Sequence, residues 1–549
     1  MVGARVHERK VSRSRAAVKP RILERLVFPR DEPRVWIGMR RTIRAHGASL
    51  DGTGALLVTV EARFEPAKEG GTEIHLSGLP DSVLRESRGR LACVLGATGL
   101  GLGAGRLFLH LVPAARRKSG EALDLALVVA AGAAAGHLTQ RQVDGVLFLG
   151  EVGIDGRLHP VPGGLACAAE ARRAGIHRVI APAGTAEEAA ALADVTAHGV
   201  EHVAEVLSHL TRDPSAEGLP AISPPPLDPD SGASPGRLDE VRGQAEAKLA
   251  LQVAAAGGHG VLLIGPPGAG KSMLAQRLVD LLPPMTLEER VEVTTLLSAT
   301  GRWPRGLASR RPFRAPHHTT SFAGLIGGGS PISAGEISLA HRGVLFLDEL
   351  PEFGRDALEG LRQPLEAGEV HLARAGRRTT LPACFQLVAA MNPCPCGYAG
   401  HPRIPCRCAP GSVQRYRQRI SGPLLDRVDI RVELQPAPPG VIVGGAEPCP
   451  GPRGAQVASD VRAARARAAA RFDGAPVLNA DLGPDALDEV APLQGEARTV
   501  LERAARRDHL SSRALQSARR VARTAADLRS AADVGPADVA TALALRPPL

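Results

Sequence analysis

The segment VLLIGPPGAGKSMLAQRL, residues 261–278, determines the fold of the middle of the chain. Four apolar residues predict a buried strand, the spacing G-x-x-x-x-G-K-S follows, and a helix begins after it. A strand, a glycine-rich loop and a helix in this order form a phosphate-binding loop, whose backbone N–H groups and helix N-terminus face the phosphates. We therefore predict that phosphates are bound by Gly265, Pro266, Pro267, Gly268, Ala269, Gly270, Lys271 and Ser272.

Two later strands end in polar residues of the kind that a nucleotide site requires. The strand in GVLFLDEL ends at Asp348 and Glu349, and FQLVAAMN ends at Asn392. We expect Lys271 to neutralise phosphate charge and Ser272 and Asp348 to hold Mg²⁺. We expect Glu349 to orient the attacking water and Asn392 to contact the γ-phosphate or that water. Lys271 is one of only six lysines beside 61 arginines, and the compact ammonium suits this pocket better than the guanidinium fork.

Composition limits the class of protein. The chain has 549 residues, which is enough for two to four domains, and 44% of them are hydrophobic. Aromatic residues make up 3%, which argues against nucleic-acid binding through base-stacking platforms. No apolar run reaches the ~18 residues of a membrane span, and the basic start precedes no apolar signal segment. These features predict a cytoplasmic protein without membrane contact.

The order of composition along the chain predicts an α/β protein with several domains. Residues 1–38 are a basic extension, and residues 1–50, with 13 basic and 4 acidic residues, account for +9 of the whole chain's net charge of +10. That extension either binds polyanions or precedes a true start at Met39. We assign an α/β domain to 39–212, a linker to 213–237, a second α/β domain to 238–434, another linker to 435–454 and a helical domain to 455–549.

The motifs resemble a known family. GPPGAGKS, VLFLDE, AAMN and PLLDRVD occur in the order of an AAA+ ATPase, and RPFRAPHHTTS and AAMNPCPCGYAG are similar to the magnesium-chelatase-like ComM/YifB family. This resemblance covers about 40–545. It implies an N-terminal domain similar to the Lon protease domain, a P-loop AAA+ core and a C-terminal helical lid. It also implies ATP and Mg²⁺ as cofactors, a homo-oligomer, expected to be a hexamer, and action on DNA.

The same resemblance assigns residues that spacing alone cannot. Arg427 in LLDRVD matches an arginine finger that reaches a neighbour's ATP; the alternative is a helix-end ion pair with Asp426 or Asp429. Arg513 matches the second sensor, with Arg519 and Arg520 as rivals. By analogy, the segment that contacts adenine contains Val241, Gly243 and Gln244.

Basic side chains predict where DNA is bound. EVHLARAGRRTTLPACFQLV predicts a hairpin with Arg374, Arg377 and Arg378 near its tip, and the family has a pore hairpin at this place. Guanidinium groups there would grip phosphates without reading bases. His317 and His318 lie in a second segment that the family inserts toward the pore, where they would contact DNA or one another. A solvated basic loop is the alternative.

Four cysteines predict a metal site. Cys394, Cys396, Cys406 and Cys408 have the spacing C-x-C-x9-C-x-C, and four thiolates in so short a loop suit tetrahedral Zn²⁺. The C-x-C pairs are tighter than the usual C-x2-C, so reduced loop thiols are the alternative. The ion would be structural, because four protein ligands leave no open coordination position.

Three functional classes follow. The leading one is an ATP-driven DNA motor, with helicase and branch-migration activity on single-stranded or branched DNA during recombination in natural transformation. The second is a chelatase-type motor that remodels a protein partner. A peptidase is disfavoured, because the positions of the Lon-type Ser and Lys fall at Ala122, Ala166 and Ala168.

Overall fold

The computed structural model describes residues 42–79, 81–114, 118, 120–212, 218–224, 235–329, 333–374, 377–436 and 452–547. The predicted basic extension 1–38 lies outside these residues, as does most of the second linker, 437–451.

The N-terminal region begins with a long hairpin. Asp51 pairs with Gly54, so the turn has two residues, and Gly52 adopts a φ of 68° that favours glycine. The strands are β1 Ile43–Asp51, β2 Gly54–Pro66, β3 Thr72–Ser77, β4 Gly105–Val112, β5 Val146–Phe148, β6 Glu151–Val152, β7 Leu158–His159, β8 Arg178–Pro182 and β9 Thr196–Val200. The helices are α1 Asp81–Ala97, α2 Asp124–Ala134, α3 Gln140–Val143, α4 Gly164–Arg173, α5 Ala183–Ala189 and α6 Val203–Thr211, with a 3₁₀ turn at Glu121–Leu123.

A mixed sheet organises this region. Among the described residues its order is β3-β4-β2-β1-β5-β8-β9, with antiparallel pairs at β1–β2 and β2–β4 and parallel pairs elsewhere. Helix α2, which is apolar on every side, packs on this sheet, and its residues from Asp124 to Ala133 are all buried. A helix without a polar face is stable only in such a core.

The middle of the chain forms a second α/β unit. Its strands are β10 Val261–Ile264, β11 Phe313–Arg314, β12 Gly327–Gly328, β13 Ser333–Ala334, β14 Val344–Leu347, β15 Glu369–Arg374, β16 Arg377–Pro382, β17 Gln386–Met391 and β18 Ile430–Glu433. Its helices are α7 Ala245–Gly257, α8 Lys271–Leu281, α9 Leu287–Ala299, α10 Phe322–Ile326, α11 Glu336–Leu339, α12 Arg355–Gly360, α13 Arg362–Ala367, α14 Pro410–Arg417 and α15 Gly422–Leu425, with 3₁₀ turns at Pro235–Glu240 and Leu350–Glu352.

The sheet of this unit determines where the polar strand ends meet. Its strands are all parallel in the order β11-β14-β17-β10-β18, as far as the described residues show. The strands β10, β14 and β17 are buried throughout, which fits their uninterrupted apolar runs. In a parallel sheet all carboxyl ends lie at one edge, and ligands bind beyond that edge where the strand order reverses. Here the reversal is at β10.

The C-terminal residues are helical, as their composition predicts. The helices are α16 Gly454–Ala470, α17 Pro484–Val490, α18 Gly495–Arg507, α19 Ser512–Leu528 and α20 Pro536–Ala544, with a 3₁₀ turn at Asn479–Asp481. Their apolar residues, among them Val461 and Val521, share one buried cluster with Leu251 of α7 and Leu278 of α8. The helices therefore pack directly on the parallel sheet's own helical layer.

Part of the first predicted linker is packed, contrary to its composition. Residues 213–217 and 225–234 are outside the description, but Ile222 donates its N–H to Ala197 O at 2.8 Å and packs on the core around β8 and β9. Leu219 donates its N–H to His209 Nδ1 at 3.1 Å. The short edge strand β9 provides a backbone hydrogen-bond partner for Ile222. The composition of 213–237 predicted a linker and did not predict this attachment.

The helices of the described residues include none that combines enough length with enough apolar character to cross a membrane.

Candidate nucleotide-binding site

The glycine-rich loop has the predicted setting. It leaves β10 after Ile264 and enters α8 at Lys271. Gly268 and Gly270 have φ values of 79° and 88°, in the left-handed region that glycine adopts without strain. The N-terminus of α8 faces the loop and adds positive potential there. The loop can therefore accommodate an anion at its backbone N–H groups.

Lys271 lies over this loop. Its Nζ donates to Gly265 O at 2.7 Å, Pro266 O at 3.1 Å and Asn392 Oδ1 at 3.0 Å. Burial lowers the pKa of the Lys271 ammonium, while Asp348 and Glu349 act to raise it. The cation is thus held at the mouth of the loop by neutral oxygens that a phosphate oxygen is able to replace.

The predicted magnesium ligands meet beside it. Ser272 Oγ donates to Asp348 Oδ2 at 2.9 Å, and Glu349 N donates to Asp348 Oδ1 at 2.9 Å. These residues follow β10 and β14, and Asn392 follows β17 between them. The parallel sheet thereby brings together Lys271, Ser272, Asp348 and Asn392.

Glu349 has an unusual backbone and a partner that the sequence analysis missed. Its φ of 52° and ψ of 46° are left-handed, a costly conformation for a residue other than glycine that concentrates at functional sites. His318 Nδ1 lies 3.1 Å from Glu349 Oε2, and the rings of His317 and His318 are 4.1 Å apart. The expected contact between the two histidines is therefore present, and His318 also touches the predicted catalytic carboxylate.

Arg427 lies at the amino ends of the parallel strands, opposite to the carboxyl ends where the phosphate loop begins. It precedes β18, whose first residue pairs with Val261 at the start of β10, whereas Lys271 follows the end of β10. Arg427 donates to Pro423 O at 2.6 Å and forms an ion pair with Glu366, and its side chain is 10% exposed. Neither Asp426 nor Asp429, the predicted alternatives, is its ion-pair partner among the described residues. Arg427 is therefore remote from the phosphate loop of its own chain.

Arg513 is near Arg427 and not near the loop. Its guanidinium contacts Glu366 Oε1 at 2.7 Å. The rivals Arg519 and Arg520 bond carbonyl oxygens of the helical region, at Leu487 and Leu482 respectively. No sequence motif marks Glu366 as the shared partner of these two arginines, because they contact it from segments that are far apart in the chain.

A buried polar cluster fixes the helix that carries Arg513. His259 is fully buried; its Nδ1 is 2.8 Å from Asp429 Oδ2 and its Nε2 is 2.8 Å from Thr524 Oγ1. Ser517 donates to Asp429 Oδ1 at 2.6 Å. Because Ser517 and Thr524 belong to α19, the cluster attaches that helix to the starts of β10 and β18. Burial of every member makes the cluster structural.

The segment assigned to adenine lies next to the loop. Gly243 and Gln244 have φ values of 64° and 56° and precede α7, and Val241 is buried. Gln244 Nε2 donates to Gln435 O at 2.7 Å, just beyond β18. The neighbouring Leu434 packs against Gly265 of the loop, where a Cβ would be 2.9 Å from its Cβ.

The predicted arginine hairpin is present. Strands β15 and β16 are antiparallel, and Arg374 pairs with Arg377 next to the tip, residues 375–376, which is outside the description. Arg378 pairs with Ala373. Helix α13, which carries Glu366, ends immediately before this hairpin.

The four predicted cysteines converge. Their Sγ atoms all lie within 4.8 Å of one another, with 3.4 Å between Cys394 and Cys396 and 3.6 Å from Cys406 to each of them. Cys396 N donates to Cys408 Sγ at 3.3 Å, and Ala399 N donates to Cys394 Sγ at 3.3 Å. Such N–H···S bonds favour thiolates, so this donor set fits Zn²⁺.

The positions expected for a Lon-type dyad hold buried apolar side chains. Ala122 and Ala168 belong to one hydrophobic cluster, and Ala166 is 2% exposed on α4. Lys118 is buried too and donates to the carbonyl oxygens of Gly78 and Pro113. This arrangement gives the N-terminal region no nucleophile–base pair at those positions.

Three family descriptions match successive parts of the chain. They are "Subunit ChlI of Mg-chelatase" over residues 60–185, "Magnesium chelatase, subunit ChlI" over 237–441 and "Magnesium chelatase, subunit ChlI C-terminal" over 451–546. Together with the parallel sheet and its glycine-rich loop, they define a magnesium-chelatase-like α/β protein.

Similar proteins narrow that class. YifB of Escherichia coli is 38% identical over 491 residues, 88% of this chain and 92% of that protein. Competence protein ComM of Haemophilus influenzae is 36% identical over 502 residues, 90% and 95% of the two chains. A partial match is the Holliday junction branch migration complex subunit RuvB of Parasynechococcus marenigrum, 30% identical over 218 residues, 37% of this chain and 51% of that protein. The chain belongs to the ComM/YifB family of magnesium-chelatase-like proteins, which confirms the predicted resemblance.

Proposed function

We propose that this protein is an ATP-driven motor of the AAA+ type that acts on DNA. The observation that carries the proposal is the meeting of Lys271, Ser272, Asp348 and Asn392 beyond three adjacent parallel strands. Lys271 would bind the β- and γ-phosphates, and Ser272 and Asp348 would hold Mg²⁺, which neutralises charge that develops during phosphoryl transfer. Glu349 would orient the attacking water, and Val241, Gly243 and Gln244 would contact adenine.

Hydrolysis would take place between identical subunits. Arg427 is at the sheet edge opposite to the phosphate loop, so it cannot serve the nucleotide of its own chain. In a closed ring, expected to be a hexamer, Arg427 and Arg513 would reach the γ-phosphate of the adjoining copy. A cation supplied by a neighbour stabilises the transition state and makes hydrolysis depend on assembly.

DNA would be the substrate that the motor moves along. The hairpin β15–β16 carries Arg374, Arg377 and Arg378 close to its tip, and guanidinium groups bind phosphates without regard to sequence. The names of the relatives ComM and RuvB, a competence protein and a branch migration subunit, support this substrate. We propose helicase and branch-migration activity on single-stranded or branched DNA during recombination in natural transformation, in the cytoplasm.

The remaining parts would serve this motor. Cys394, Cys396, Cys406 and Cys408 would hold one structural Zn²⁺ in a closed tetrahedral set. The N-terminal domain, 39–212, would have a Lon-like fold without its catalysis and act in assembly or in admitting DNA. The helices of 455–549 would form the lid of the core domain, 238–434.

A chelatase-type motor that remodels a protein partner is the second candidate. Its support is the match of three magnesium-chelatase descriptions to most of the chain. The two candidates differ in what stimulates hydrolysis, since DNA should stimulate only the first.

ATP turnover by the full chain, with and without single-stranded and branched DNA, tests the proposal. We expect turnover that DNA increases severalfold and that Lys271→Ala abolishes together with ATP binding. The matched control is Lys248→Ala, which removes a lysine of α7 outside the loop. A purified chain that hydrolyses ATP equally with and without DNA would contradict the DNA motor but leave the ATPase intact.

A further inference from the structure

The cysteine loop, residues 394–408, and the phosphate loop, residues 265–272, are in direct contact. Gly397, between Cys396 and Cys406, has a φ of 85°, and a Cβ at this position would lie 2.7 Å from Cδ and 3.0 Å from Cγ of Pro267. Those are ring atoms of a residue in the phosphate loop, and a proline ring cannot rotate away because it is closed on the backbone. The two loops therefore touch backbone to ring with no room for a side chain.

The cysteine loop also holds Asn392. Cys394, the second residue after it, is fully buried, and its sulfur and carbonyl oxygen accept the N–H groups of Ala399 and Gly397 at 3.3 and 2.9 Å. Asn392 Oδ1 in turn accepts a hydrogen bond from Lys271 Nζ at 3.0 Å. A displacement of Cys394 would therefore move the amide that holds Lys271 over the phosphate loop.

The far end of the cysteine loop returns to the same place. Cys408 is followed by α14, whose buried Tyr416 lies beside the backbone of Asn392. Arg417 of the same helix contacts Pro393 O at 3.5 Å. Both ends of the loop thus converge next to Asn392, while its middle presses on Pro267.

The sulfur atoms are spaced as one ion requires. Four thiolates around Zn²⁺ at ~2.3 Å lie about 3.8 Å apart, and three of the sulfur–sulfur distances here are 3.4, 3.6 and 3.6 Å. Without an ion, thiolates at this spacing repel one another, so the loop would open. With an ion, the pair Cys394–Cys396 is joined to the pair Cys406–Cys408 across the intervening Gly397.

We infer that metal bound by these four cysteines positions the phosphate loop, through Gly397 on Pro267 and through Asn392 on Lys271, and thereby sets the affinity for nucleotide. The inference rests on the nucleotide site proposed above. Cys394, Cys396, Cys406 and Cys408 are positioning residues in this account, because none of them touches the phosphates.

A pair of glycine variants tests the contact without disturbing the metal. Gly397→Ala and Gly400→Ala both place a Cβ at positive φ in the same loop, but the space around Gly400 is empty within 4 Å. We would measure zinc content and the dissociation constant of a fluorescent ATP analogue with Mg²⁺. We expect about one zinc per chain in both variants and binding weakened by about tenfold, ~1.4 kcal/mol, in Gly397→Ala alone. Equal affinities in the two variants would overturn the inference.

Removal of the metal tests whether the bound ion itself sets the affinity for nucleotide. Treatment of the full chain with a chelator should weaken binding of the analogue, and added Zn²⁺ should restore it. Cys406→Ser should lose zinc and affinity together, whereas Cys93→Ser, an exposed thiol on α1, should lose neither. A folded, zinc-free chain with unchanged affinity would refute the inference. If the untreated chain binds no analogue at all, the proposed nucleotide site fails as well, and the two failures are thus distinguishable.

Discussion

Arg427 and Arg513 direct their guanidinium groups to the same oxygen atom, Oε1 of Glu366. The two cations come from the segment before β18 and from the start of α19, and a single carboxylate neutralises both. Burial lowers the pKa of the Arg427 guanidinium, Glu366 raises it, and Arg513 lowers it. The arginine pair is therefore pre-assembled on one surface, away from the phosphate loop of its own chain.

Replacement of Arg427 should separate binding from hydrolysis. We expect Arg427→Ala to bind ATP with unchanged affinity but to hydrolyse it on the order of 10³-fold more slowly, because an arginine supplied to a neighbour's nucleotide acts in the transition state. Steady-state turnover and equilibrium binding measure the two quantities. Arg431→Ala, a half-buried arginine of β18, serves as control for loss of packing. Normal turnover in the Arg427 variant would refute its role between subunits.

Replacement of Glu366 should slow hydrolysis less than replacement of Arg427 does. In Glu366→Gln the two guanidinium groups lose their common anion and repel one another, so we expect turnover to fall by roughly tenfold, ~1.4 kcal/mol, at unchanged ATP affinity. Glu502→Gln, which removes an exposed carboxylate of α18 paired with Arg498, is the matched control. Identical turnover in both variants would mean that Glu366 does not position the arginines.

The arginine hairpin makes a prediction about salt. Arg377→Ala with Arg378→Ala should weaken binding to single-stranded DNA and reduce the slope of log affinity against log salt by about 1.4, or ~0.7 for each lost phosphate contact. Fluorescence anisotropy at several salt concentrations gives this slope. The control is Arg498→Ala with Arg506→Ala, which removes two exposed charges of α18. A slope that changes equally in both double variants would mean that the overall charge of the protein, and not the hairpin, determines the salt dependence.

His209 should make the attachment of residues 218–224 depend on pH. Its Nδ1 accepts the Leu219 N–H, which requires the neutral ring. Burial, with the charges of Arg212, His198 and Arg178, lowers the pKa of His209 from 6.5 to about 4. The unfolded chain therefore binds the proton more readily, so the stability contribution is complete above pH 6.5 and is lost as pH falls toward 4.

Limited proteolysis between pH 5 and 7.5 measures this effect. We expect cleavage near residues 218–224 to increase at the lower pH in the natural chain, corrected for the protease's own pH response. His209→Gln, which stays neutral, should show the same cleavage at both values. His137→Gln, on the loop after α2, is the control. Cleavage that does not change with pH in the natural chain would disprove the dependence.

The sequence by itself determined the local elements of this protein. The strand, loop and helix around Gly265–Ser272, the polar strand ends at Asp348 and Asn392, the hairpin β15–β16 and the clustering of four cysteines all depend on residues close together in the chain. Hydrogen bonding, glycine φ values and apolar periodicity act over such short spans, and the motifs were specific enough to identify the family.

Only the tertiary structure decided which distant segments meet. The convergence of Arg427 and Arg513 on Glu366, the contact of His318 with Glu349, the closeness of Gly397 to Pro267 and the attachment of Ile222 to β9 join residues far apart in the sequence. Each is a single contact that leaves no periodic pattern in the sequence, so the sequence alone does not predict it. These pairs exist because the parallel sheet fixes which strand ends share an edge, and that order is set by the packing of the whole core.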